Sequence, residues 1–378
     1  MQNFLIESKE RFVVFLGNYD NRFVPDLIER IKRPIALFIT EDENITASAE
    51  FEKIMSVEQY FDTEYSQRDG IILDQTWNTR TLIDSLEKRG LVYNIDFCFY
   101  RDFIFQYDFF HFNLCRVFYT EMILTFKCSL RCRDCTYHIP YLPKRSDRSL
   151  YEILRDIDLY FAAVDKVQIF RLLGGEPLLH PNLSDIIQHI GKNYRNQIEE
   201  LFLVTNGTIT PKDEIIQLMK KYNIKMVISD YSKNVPNLKN PVMALRKLIK
   251  SQGIKLQIMV GDWWNDDGGI NYQNNLTDEG LKNLFHKCEA FCRVLHNGKL
   301  YYCGKSIIFA KENKMLETDM RKNVEYVALD GKENLKSDII KMNIGQQIGA
   351  YATACKFCKG YFGPFCGKKL PSGIQLKE

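Results

Sequence analysis

The sequence predicts an α/β protein: a small Rossmann-like domain, then a partial (β/α) barrel of the TIM type, then a small cysteine-rich domain. Three observations predict it. Short apolar strands alternate with helical stretches up to about residue 275, as in parallel sheets built from βα units. From residue 120 onward those units recur at the spacing of one strand and one helix, which suits barrel construction. Nine of the eleven cysteines fall into three tight groups, 128/132/135, 288/292/303 and 355/358/366, the last two in a loop-rich tail.

In order along the chain, residues 1–95 read as a degenerate Rossmann-like domain. Strands are predicted over 12–16, 35–40 and 70–74, and helices over 24–31 and 76–89, the latter stopped by Gly90. The first strand–helix turn, Gly17 to Arg22, keeps one glycine where a dinucleotide fingerprint needs three. Side chains there block a pyrophosphate from the backbone amides, so a docking or substrate-presenting role is the plainer reading. Residues 96–119 are dense in Phe and Tyr and read as a connecting segment.

Residues 120–278 read as the barrel core, with strands over 122–126, 167–172, 201–205, 225–229 and 255–260. Ser149 and Glu152 form a capping box that starts a helix, and Thr210-Pro211 places an N-cap before a first-turn proline. Residues 279–378 form the cysteine-rich domain, where Asn297-Gly298 between two apolar pairs predicts a tight hairpin.

Bulk composition narrows the function classes. The chain has 378 residues, 45% apolar and 26% charged, as in ordinary globular proteins. A net charge of +3 argues against a nucleic-acid or membrane partner. No apolar run is long enough for a membrane span, and the first residues lack a signal-peptide core, so a cytoplasmic address is expected. In such a reducing compartment clustered cysteines are metal ligands or catalytic groups more often than disulfides.

The loop after the first barrel strand holds Cys128, Cys132 and Cys135 at CxxxCxxC spacing. Three soft thiolates suit an iron–sulfur cluster or zinc, and three ligands leave one metal corner open for chemistry. The bland alternative is a structural zinc closed by His138. Farther on, the strand over 167–172 ends in Gly174-Gly175-Glu176-Pro177, the strand over 201–205 in Thr205-Asn206-Gly207, and the strand over 225–229 in Ser229-Asp230. Each lies at the carboxyl end of a strand, the active-site face of such barrels.

Together these segments resemble the radical SAM superfamily over about residues 120–275, with Asp134 standing where that family usually has an aromatic residue. The resemblance implies a [4Fe–4S] cluster on Cys128, Cys132 and Cys135 whose open iron binds S-adenosylmethionine (SAM). One electron from it cleaves SAM to methionine and a 5′-deoxyadenosyl radical that takes a substrate hydrogen. The GGEP-like segment is then expected to receive the SAM amino group through backbone and carboxylate. Thr205, Asn206 and Gly207 would lie near the adenosine, and Ser229 and Asp230 near the ribose or carboxylate.

The set Cys288, Cys292, Cys303, Cys355, Cys358 and Cys366 is similar to the SPASM/twitch extension of that superfamily. One auxiliary [4Fe–4S] cluster is expected on Cys303, Cys355 and Cys358, with Cys288 or Cys292 as fourth ligand. A zinc ribbon is the alternative. The expected reaction is oxidation of a small molecule such as a sugar or aminocyclitol alcohol, with a flavodoxin or ferredoxin as reductant. Competing readings are a peptide-modifying maturase and a non-catalytic scaffold. Arg171, Asp230 and Asp262 are candidates for proton transfer, and the loop over 262–269 is expected to line the substrate cavity.

Overall fold

The structure, a computed structural model, describes residues 5–16, 23–31, 35–41, 53–73, 79–288, 292–331, 333–345, 349–360 and 368–377. Two compact units divide the chain, Met1–Leu114 and Cys115–Glu378.

The first unit is a five-stranded parallel sheet in the order β3-β2-β1-β4-β5. Its strands are β1 (Arg11–Phe15), β2 (Ile35–Thr40), β3 (Ile54–Ser56), β4 (Asp69–Leu73) and β5 (Phe97–Phe99). Its helices are α1 (Leu5–Ser8), α2 (Phe23–Arg30), α3 (Val57–Thr63), α4 (Thr79–Lys88) and α5 (Tyr100–Phe112). One face of the sheet buries Val13, Leu37, Ile39 and Ile71 against Tyr60, Leu82 and Leu86 of α3 and α4. Phe12 points the other way and meets Phe103 of α5 at a centroid distance of 5.0 Å. Strands buried on both faces are the reason these runs are continuously apolar. The sequence reading lacked β3 and α3, although Ser56 and Gln59 form the same capping box as at residue 149. It also placed 96–119 as a connector. Instead residues 97–112 supply β5 and α5 to this sheet, because a helix apolar on every side is a core helix. The turn over 17–22 lies outside the described residues.

The second unit centres on an eight-stranded sheet in the order β10-β9-β8-β7-β6-β12-β13-β14. β6 (Arg116–Ile123), β7 (Lys166–Leu173), β8 (Ile198–Thr205), β9 (Lys225–Asp230) and β10 (Leu256–Val260) are parallel neighbours. Between them run α6 (Leu150–Ala163), α7 (Leu183–Asn193), α8 (Asp213–Lys221) and α9 (Lys239–Ser251). This is the expected βα rhythm of a partial barrel. The capping box at Ser149 and Glu152 starts α6 as read. The first strand begins earlier than expected, since Val117, Tyr119 and Thr120 are already buried in the core. α8 begins at Asp213 with Lys212 as its N-cap, two residues beyond the expected start at Thr210-Pro211, and Asp213 and Glu214 lie in its first turn where the helix dipole favours acids.

The remaining elements are β11 (Trp263–Asn265), α10 (Asp278–Lys287), β12 (Arg293–His296), β13 (Lys299–Tyr301), α11 (Gly304–Lys311), β14 (Tyr326–Ala328), α12 (Leu335–Asn343) and β15 (Lys369–Pro371). The Asn297-Gly298 hairpin forms as read, with both residues at positive φ. Its strand β12 pairs in parallel with the outer edge of β6. Residues after 279 therefore extend the barrel sheet, within one unit with it, and cover an edge that would otherwise leave backbone groups unpaired.

Candidate active site

The loop after β6 carries Cys128, Cys132 and Cys135, and it is built from long-range contacts. Cys132 is bridged to Gln375, whose Nε2 donates to the Cys132 sulfur at 3.3 Å while its Oε1 accepts from Arg131 N at 2.7 Å. Cys128 Sγ accepts from Leu130 N at 3.4 Å and from Asn206 Nδ2 at 3.6 Å. Burial pushes the Cys128 and Cys132 thiols up to about 12, and the neighbouring thiols of the trio add to it. Cys135 is raised as well, first by burial, against N–H donors from Ile139 and Tyr137. Three thiols that face one another, already receiving N–H donors and too buried to ionise alone, become thiolates when a metal supplies the compensating charge. That donor set fits an iron–sulfur cluster. Leu130, Leu238, Tyr231 and Trp264 pack around them.

Gly174 and Gly175 lie directly under this loop. A Cβ on Gly174 would sit 2.4 Å from the Thr125 carbonyl oxygen, and one on Gly175 would sit 2.1 Å from that of Lys127. The close approach lets Gly175 N donate to Thr125 O and Glu176 N to Lys127 O, both at 2.8 Å. Glu176 itself is 0% exposed. Its carboxylate accepts from Asn206 N at 2.8 Å, Thr205 Oγ1 at 2.9 Å and Leu178 N at 3.2 Å. Burial moves its pKa up to about 7 against these donors. The enclosed carboxylate thereby latches the loop after β7 to the loop after β8. Pro177 opens the short turn that follows.

Asn206 is the hub of that latch, since its Nδ2 also donates to Ser129 Oγ at 3.0 Å. Gly207 sits at φ +79°, with Ile228 and Val242 2.9 Å from where a Cβ would be, so only glycine fits. Ser229 and Asp230 end β9 as read; Asp230 Oδ1 accepts from Ser232 N at 2.9 Å. Tyr231, which the sequence reading passed over, is half-buried and packs with all three cysteines of the loop.

The second set divides. Burial raises the Cys355 thiol, and the charges acting on it next are Cys288, Cys358 and Cys303. Those four line one cavity. Cys292 faces other groups: beyond burial, Glu121 raises it and Arg171 and Arg293 lower it. Cys366 lies outside the described residues. Among the described residues no group of three or more His, Cys, Asp or Glu side chains is gathered to hold a single metal ion.

A cavity of about 360 Å³ joins the four thiols to the barrel interior. Tyr119 and Glu121 of β6, Arg171 of β7, Met259 of β10, Tyr137 and Cys292 line its inner part. Glu121 accepts from Tyr137 Oη at 2.5 Å and from Tyr119 Oη at 3.1 Å. It lies directly across the strand pair from Arg171, whose guanidinium stacks over the Tyr119 ring at 4.8 Å. Of the three residues read as proton-transfer candidates, Arg171 lines the cavity. Asp230 and Asp262 do not. Asp262 is ion-paired with Lys233, and the loop over 262–269 is tied down elsewhere: β11 pairs with β15, and Asp266 holds Lys359 at 2.9 Å. The expectation that this loop walls the cavity is therefore corrected.

Against known families, residues 122–230 match the model described as Radical SAM superfamily. GTP 3',8-cyclase of Erythrobacter litoralis (strain HTCC2594) is 37% identical over 94 residues, 25% of this chain and 28% of the relative. The enzyme of the same name from Rhizobium meliloti (strain 1021) is 35% identical over 94 residues, 24% and 26% of the two chains. The chain thus spans about a quarter of the length of the curated relatives it matches. Among solved structures, anSMEcpe with bound AdoMet and Kp18Cys peptide aligns at TM-score 0.39 and 14% identity, over 61% of this chain and 83% of that one. BtrN in complex with AdoMet and 2-DOIA aligns at TM-score 0.36 and 12% identity, over 68% and 98%. No described helix is long and apolar enough to cross a membrane. A radical SAM domain implies a [4Fe–4S] cluster and SAM, and the trio of cysteines, Cys132 buried and Cys128 and Cys135 half-buried, suits that cluster. This chain carries a radical SAM domain, which spans residues 122–230.

Proposed function

We propose that the chain is a radical SAM enzyme that oxidises a small polar molecule, such as a sugar or aminocyclitol alcohol. The observation that carries this reading is the cavity of about 360 Å³, which is lined by polar side chains of the barrel and by Cys288, Cys303, Cys355 and Cys358. Its size and its few convergent polar groups suit a small ligand. A peptide would need an open groove or a free strand edge leading to the same place.

In this account Cys128, Cys132 and Cys135 hold the SAM-binding cluster, and Cys288, Cys303, Cys355 and Cys358 hold an auxiliary one. When bound, the first cluster and SAM supply the 5′-deoxyadenosyl radical that takes a substrate hydrogen atom. The backbone at Gly174, Gly175 and Pro177, with Asn206, Gly207, Ser229 and Asp230, frames the SAM site. Glu176 and Thr205 fix the two loops in register from behind. Arg171 and Glu121 orient the substrate by hydrogen bonds, and Tyr119 and Tyr137 hold the Glu121 carboxylate in place. A one-electron donor of the flavodoxin or ferredoxin class serves as reductant, and the address is cytoplasmic.

The test uses anaerobic protein, SAM and dithionite with carbon-deuterated polyols and aminocyclitols. Deuterium is expected in 5′-deoxyadenosine, together with a carbonyl product. Transfer from a deuterated peptide, and from none of the alcohols, overturns the substrate class.

A further inference from the structure

A buried ammonium lies in reach of both cysteine sets. Lys305 is 4% exposed. Its Nζ donates to the Thr136 carbonyl at 2.7 Å, to His138 Nε2 at 3.2 Å and to the Asp267 carboxylate. Those acceptors use all three of its N–H bonds. Thr136 follows Cys135 in the first cysteine loop, and Lys305 itself lies two residues after Cys303.

The network is closed around that cation. With Lys305 donating to Nε2, the His138 ring carries its proton on Nδ1, which donates to Glu312 Oε1 at 2.7 Å. His138, which a zinc reading would enlist as a ligand, thus has both nitrogens occupied. Lys305 also lines the cavity that holds Cys288, Cys303, Cys355 and Cys358.

We propose that Lys305 is a positioning residue shared by both cluster sites, and that its charge sets their reduction potentials together, with Asp267 opposing it. The inference rests on the reading of the two cysteine sets as cluster ligands. Reduction adds one electron, and so one negative charge, to a cluster. A fixed cation nearby in a poorly polarisable interior favours the reduced form and raises the potential, and a fixed anion does the reverse. Lys305 lines the cavity of the second set itself and reaches the first only through the Thr136 carbonyl beside Cys135, so the second cluster should respond more.

The experiment is an EPR-monitored redox titration of the reconstituted full chain, with iron content measured alongside. K305M should lower the potential of the auxiliary cluster and, by less, that of the SAM-binding cluster. D267N should raise both. Damage to the fold would not move the two variants in opposite directions. Potentials unmoved in both variants, or moved the same way, overturn the proposal. Should K305M fail to hold iron, D267N decides alone: an unchanged or lowered potential overturns it. Wild-type protein that holds only about four irons removes the second cluster and with it the underlying reading, whereas about eight irons with unmoved potentials removes this inference alone.

Discussion

The carboxylate of Glu176 accepts the backbone N–H of Asn206 at 2.8 Å, and that bond locks the loop after β7 to the loop after β8. Asn206 in turn reaches Ser129 and the Cys128 sulfur, so the three motif segments form one hydrogen-bonded piece.

Breaking the latch should therefore be felt as stability and as SAM affinity. Glu176→Ala leaves the Asn206 N–H and the Thr205 hydroxyl unpaired in a buried place. It should destabilise the chain by about 1–3 kcal/mol in denaturant unfolding. SAM binding by calorimetry should weaken at least tenfold in the reconstituted protein, while iron content holds.

Gly175→Ala tests the close approach under the cysteine loop. Its Cβ would meet backbone, the Lys127 carbonyl at 2.1 Å, which cannot rotate away. The loop must shift, at about 1–3 kcal/mol or more, as for other overpacked sites. The expected outcome is iron lost from the first cluster, read from the loss of its SAM-perturbed EPR signal.

The two cysteines left open by spacing, Cys288 and Cys292, should now part. Cys288→Ser should drop iron from about eight to about four per chain, and Cys292→Ser should leave about eight. Equal losses would return Cys292 to the ligand set.

His296 gives the pH dependence. Burial, with Arg148, Lys311 and Lys299 adding to it, holds its pKa well below the ordinary value. The unfolded chain therefore takes up a proton near pH 6.5 that the folded chain refuses. Stability is full above that pH and declines as pH falls below it, by about 1.4 kcal/mol per pH unit until the folded group titrates. His296→Phe should flatten this decline in unfolding curves measured between pH 7 and pH 5.

What the sequence disclosed follows from range along the chain. The cysteine loop, Gly174 to Pro177 and Thr205 to Gly207 are short segments whose chemistry demands particular residues at fixed spacing. The strand before each was visible as an apolar run. Lys305 with Thr136 and Asp267, or Gln375 with Cys132, are pairs far apart in sequence, and spacing carries no signature of them. α3 was legible in principle, through Ser56 and Gln59. α5 was not, because its buried Phe103, Ile104, Phe105 and Tyr107 show no one-sided period. Likewise the separation of Cys288 from Cys292 appears only when β12 takes its place beside β6.

The most direct test of the account is anaerobic reconstitution followed by reduction in the presence of SAM. The account predicts about eight iron atoms per chain and release of 5′-deoxyadenosine and methionine, with the release abolished by joint replacement of Cys128, Cys132 and Cys135 by Ala. Protein that retains zinc in place of iron, or that binds iron and SAM yet yields no 5′-deoxyadenosine on reduction, would contradict it.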